Sequence, residues 1–183
     1  MENRTSTETF GFQQETIENY NQIRNEQLYR STGGSTGTLP CRTTPDYISK
    51  LEADEVFVFG SNARGHHAGG AAAAAVRHFG AVWGQGDGLQ GQSYAISTME
   101  GLLNTATNVN RFIRFATEHP ELRFYVTPIG CGIAGYNPQQ MAPLFERAIV
   151  LPNVFLPKSF WEYFQTTNGI VSGSPVPSDN TQK

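Results

Sequence analysis

Apolar residues in this chain fall into short blocks separated by polar, glycine-rich stretches, and the blocks show two periodicities. Compact apolar runs at 55–59, 92–97, 122–127 and 153–156 read as strands, with a further possible strand at 81–84. Helical spacing marks 104–118, where Val109, Phe112, Ile113, Phe115 and Ala116 share one face. That pattern stops before His119-Pro120, because the residue preceding proline is pushed out of helical geometry. Helices are also expected at 70–79, over Ala71–Ala75, and at 138–149 and 158–165, with 84–91 as a loop. Strands alternating with helices predict an α/β fold of three layers, its sheet mainly parallel or mixed and its helices on both faces. The aromatic residues at helical spacing are core under this reading.

The junctions carry the chemistry. The first strand breaks into Gly60-Ser61-Asn62-Ala63-Arg64-Gly65-His66-His67-Ala68-Gly69-Gly70 and then into the alanine-rich helix. Glycine lets backbone turn tightly and approach a ligand, and the N–H groups opening a helix suit an anion. The strand ending at Thr127 runs into a second such loop, Pro128-Ile129-Gly130-Cys131-Gly132-Ile133-Ala134-Gly135-Tyr136. Ligands of open α/β sheets sit beyond the carboxyl ends of strands, so two glycine loops there suggest two walls of one cleft. The Gly130–Gly135 spacing is not a dinucleotide fingerprint, since Leu151 and Pro152 stand where an acidic residue would follow. A third stretch, Gly84 to Ser93, holds Gln85, Gln90 and Gln92, which could read ribose hydroxyls or a base edge, and Asp87, its one carboxylate and a candidate general base. It reads equally as a plain surface loop.

A length of 183 residues fits one domain with tails. Residues 1–43 form a polar arm, with a possible helix from Gln13 to Tyr29 and a linker over Ser31–Gly37; the domain spans 44–167, and 168–183 form a disordered tail. A net charge of −3 argues against a nucleic-acid binder working through a basic surface. No apolar run approaches the roughly 20 residues that span a bilayer, and no signal-peptide core opens the chain, so a cytoplasmic location is expected. Cys41 and Cys131 are then free thiols. No cofactor is expected, nor a metal site, because His66-His67 lack a second cluster at zinc-ligand spacing.

Taken together, Gly60-Ser61-Asn62, the glycine loop into an alanine-rich helix, Ser93-Tyr94-Ala95-Ile96-Ser97-Thr98 and Thr127–Tyr136 resemble the macro domains, an ADP-ribose-binding α/β family. The match is nearest to a compact branch common in bacteria and their phages, and covers roughly 44–160. The resemblance implies ADP-ribose or a related NAD-derived nucleotide as ligand. By it, Asn62 orients the distal ribose, Gly69-Gly70 lie where the first glycine loop enters a helix, and Gly130, Cys131, Gly132, Ile133, Ala134 and Gly135 wrap the diphosphate. Tyr136 would pack on the distal ribose, and Asp46, in Asp46-Tyr47-Ile48, would meet the adenine; Asp46 could equally cap a helix over Tyr47–Leu51. The acidic residue that family hydrolases carry after the first loop is replaced by Ala71 and Ala72. If the chain hydrolyses an ADP-ribosyl bond, Asn62, His67 and Asp87 are the catalytic candidates, His67 or Asp87 activating water. Alternatives are sequestration of an NAD-derived signalling nucleotide, a thiol enzyme pairing Cys131 with His67, and an interaction protein acting through its arm and tail.

Overall fold

A computed structural model describes residues 41–168; the expected arm over 1–40 and the tail from 169 lie outside the described residues. Strand β1 spans Glu55–Ser61, helix α1 Gly70–His78, β2 Gly88–Gln90, β3 Ser93–Ser97, α2 Leu102–Glu118, β4 Arg123–Val126 and α3 Pro138–Met141. A 3₁₀ segment, Ala142–Ala148, continues α3, followed by β5 at Val154–Phe155 and α4 at Lys158–Asn168. The five strands form one mixed sheet in the order β2-β3-β1-β4-β5. β1 runs parallel to β3 and β4, β4 parallel to β5, and β2 antiparallel to β3. The α/β architecture expected from the alternation of blocks is the one observed.

Strand order explains the two helical layers. The chain leaves β1 for β3 on one side and then crosses back over β1 to β4, and right-handed crossovers in opposite directions put their helices on opposite faces. On one face, Phe57 and Phe59 pack with Ala72, Ala75 and Phe79 of the α1 region. Alanines there let α1 lie close to the sheet. On the other face, Tyr94 and Phe124 meet Phe112 of α2 at ring distances of 5.2 and 5.5 Å. Thr105, Val109, Phe112, Ile113 and Ala116 form the buried stripe of α2.

Three local expectations are corrected. The stretch 81–84 forms no strand; strand β2 lies instead inside the expected loop, at Gly88–Gln90. Its glycine-rich sequence has no strand signal of its own, and its pairing comes from β3 through a turn in which Gly91 has φ of 57°. The helix expected over 138–149 is α-helical for four residues only and then tightens to 3₁₀, because Pro143 supplies no N–H and crowds the preceding turn. No helix covers Tyr47–Leu51, so Asp46 is no helix cap.

Residues 41–43, placed in the arm by sequence, attach to the sheet edge: Thr43 bridges Leu156, and the Arg42 guanidinium donates to the carbonyls of Ile149 and Val154. Among the described residues, no helix is long and apolar enough to cross a membrane.

Candidate functional site

Because β1 and β4 are neighbours and parallel, the loops that follow them leave the same sheet edge side by side. They enclose a cavity of about 380 Å³. Gly60, Ser61, Asn62, His66, Gly69 and Gly70 line it from the first loop; Ile129, Gly130, Gly132, Ile133 and Ala134 line it from the second. Helix α1 opens on this cavity with no side-chain cap, and its first intrahelical bond comes from Ala73 N–H to Gly69 O. The N–H groups of Gly70, Ala71 and Ala72 precede that bond and carry the positive end of the helix dipole. Across the cavity, the N–H groups of Gly132, Ile133 and Ala134 meet no acceptor among the described residues. Both walls therefore hold spare backbone donors, the arrangement that suits an anion.

The first loop is stiffened from within. Asn62 Oδ1 accepts from the N–H groups of Arg64 (3.1 Å) and His66 (3.2 Å), and its amide donates to His66 O at 3.0 Å. Asn62 thus folds the loop and lines the cavity at once, with one amide hydrogen left to donate. The neighbouring 82–88 segment packs backbone to backbone against it. A β-carbon on Gly86 would overlap the Asn62 carbonyl oxygen, and one on Gly65 would overlap Gly84 and Gln85. These two glycines are required by close approach.

A second cavity, about 540 Å³, adjoins the first and shares Gly70, Ala71, Thr127 and Pro128 with it. Its walls are largely apolar, from Phe57, Ala74, Pro128 and Pro157, and its rim carries Asp46, Tyr47, Lys158 and Glu162. Asp46 and Tyr47 are exposed there. The two cavities make one groove, donor-rich at one end and apolar at the other. Sequence reading found Asp46 but missed Ile48, Phe57, Ala74, Pro157 and Ser159, as well as Thr98 and Met99 after β3. Thr98 and Met99 had a signal available, since they follow a strand that pairs in parallel with β1. Ile48 adjoins Asp46, whereas Pro157 and Ser159, from the far end of the domain, had none.

Several candidates stand elsewhere. His67 does not line the groove; it is buried under α1's end of the sheet, edge-on to Phe59, with Nε2 2.9 Å from Ser61 Oγ. Burial lowers its pKa, and neighbouring His66 lowers it further. Its Nδ1 is buried without a partner among the described residues. Asp87 lies in a separate cavity with Ser97, Glu100, Asn104 and Asn108, paired to Arg111. Burial raises its pKa, partly offset by the Arg111 charge.

Gln90 is buried and spent on the loop, accepting from Val82 N–H at 2.5 Å and donating to Gln85 O at 3.0 Å. Cys131 is not among the residues lining the groove; its thiol lies against Ile129 O at 3.6 Å and its pKa is raised by burial. Gly135 and Tyr136 close the second loop through N–H bonds to Gly132 O and Gly130 O, and neither lines the groove.

The chain matches no protein-family model, no curated protein and no solved structure.

Proposed function

We propose that this chain is a binding module for ADP-ribose or a related NAD-derived nucleotide. The observation that carries the reading is the pair of facing donor walls, the uncapped start of α1 and the amides of Gly132–Ala134, on a cavity continuous with a larger apolar one. A diphosphate is the anion that fits a row of amides with few fixed charges nearby. A base fits the apolar end, where the Asp46 carboxylate can accept from an exocyclic amine. Asn62 stands at the opposite end, where its remaining amide hydrogen would meet the distal ribose.

Binding without turnover is the form of the reading that the side chains support. Of the groups expected to activate water or attack, His67 and Asp87 stand outside the groove lining, and so does Cys131, whose thiol pKa is raised by burial; the one titratable side chain lining the donor-rich cavity is His66. Sequestration of an NAD-derived nucleotide is therefore preferred to hydrolysis and to thiol chemistry.

Calorimetry of the full chain with ADP-ribose, AMP, NAD⁺ and cyclic ADP-ribose isomers tests the proposal. ADP-ribose should bind more tightly than AMP. Absence of binding by every diphosphate-bearing member of the panel refutes it.

A further inference from the structure

His66 lines the donor-rich cavity, and the Trp83 ring lies on it nearly parallel, with centroids 5.6 Å apart and planes inclined by 21°. Trp83 is 57% exposed, although a large apolar ring gains most from burial. It also stands edge-on to His67, with centroids 6.4 Å apart. Besides these ring contacts, the 62–67 and 82–88 segments are joined through the close approaches at Gly65 and Gly86 and the Gly84 N–H to Gly65 O bond of 3.0 Å, and Gln90 holds Val82 in place from within its own loop. Trp83 is thus an exposed aromatic face held in a fixed position beside the cavity wall.

We propose that Trp83 and His66 form a stacking shelf at the open end of the cleft, and that the shelf recognises the pyridinium ring of an oxidised nicotinamide dinucleotide. The inference rests on the nucleotide reading above and narrows its ligand. With the base in the apolar cavity and the diphosphate on the amides, the group carried by the second ribose leaves the cleft beside Asn62 and His66. A planar cation over an indole face is attracted by the ring quadrupole, and tryptophan is the strongest such partner. ADP-ribose carries no aromatic ring on that ribose, and the reduced nicotinamide ring carries no charge.

The chain has two tryptophans, and the other, Trp161, is buried, with its indole N–H donating to Arg42 O at 2.8 Å. Trp83 is therefore the accessible fluorophore. Titration of the full chain with NAD⁺ should quench the exposed emission, while ADP-ribose should leave it nearly unchanged. By calorimetry NAD⁺ should bind roughly 3-fold to 30-fold more tightly than ADP-ribose or NADH. Trp83→Ala should remove that advantage without weakening ADP-ribose, Trp83→Phe should keep part of it, and the melting temperature should hold in both.

ADP-ribose binding with NAD⁺ no tighter, or a Trp83→Ala loss equal for both ligands, overturns the shelf alone. Failure of ADP-ribose, NAD⁺ and the cyclic ADP-ribose isomers alike overturns the nucleotide reading and the shelf with it, whereas binding of a cyclic isomer without NAD⁺ overturns the shelf alone.

Discussion

Gly132→Val separates the proposed cradle from the fold. A β-carbon on Gly132 meets no atom within 4 Å, and the backbone there is not left-handed, so valine costs the folded state little. The two methyl groups stand in a cavity of about 380 Å³, next to amides that would hold a diphosphate. A hydrogen bond to a charged group contributes about 1.5–3 kcal/mol, so displacing the anion from two amides costs about 3–6 kcal/mol. In affinity that is a loss of roughly 10²-fold to 10⁴-fold. Calorimetry with ADP-ribose reads the loss, and a thermal melt reads the fold. Gly130→Val is the contrasting control. Gly130 has φ of 76°, and a β-carbon would lie 2.8 Å from the sulfur of buried Met141, so that variant should lose stability and binding together. A folded Gly132→Val protein with unchanged affinity would refute the assignment of this loop as the cradle.

Three further outcomes are expected. Asn62→Ala removes the groove's distal polar group, so ADP-ribose should weaken by roughly one to two decades and AMP less; because three bonds that shape the loop go with it, equal losses in calorimetry would assign Asn62 to loop shape and not to the distal ribose. Lys158 is the one lysine or arginine lining either cavity among the described residues, so ADP-ribose affinity should fall only mildly between about 0.05 and 0.5 M salt, and a steep slope would reveal a cationic site instead. Burial holds the His67 pKa below its unfolded value, so the neutral ring stabilises the fold fully above about pH 6.5 and that contribution is lost as pH falls through the lowered pKa. Denaturant midpoints should drop over that window in the wild type and less in His67→Gln, and parallel pH profiles would exclude His67 as the cause.

The two glycine loops and the strands feeding them were legible because their signals are local. Glycine after an apolar run reports a turn wherever the strand sits, and the alanine run of α1 carries its own helical propensity. The amides that line the groove belong to backbone, so loop position alone pointed to Gly69, Gly70, Gly130 and Gly132. Side-chain roles were less accessible. Gln90 and Asp87 carry groups suited to a ribose, but each is spent on a partner that sequence does not rank, the Val82 amide for one and the Arg111 guanidinium for the other. His67 looked available in a loop of polar residues and is instead folded against Phe59 and Ser61.

What the sequence determined by itself was the alternation of elements, and with it the α/β class, together with the places where the chain must turn. The tertiary structure alone decided that β1 lies between β3 and β4, which turns two separate glycine loops into facing walls. It also decided the apolar end of the groove, where Asp46 and Tyr47 meet Pro157 and Lys158 from the far end of the domain. The physical reason is range. Propensity, periodicity and turn chemistry act over a few residues, whereas a cavity is set by strand order and by the competition of buried polar groups for partners distant along the chain.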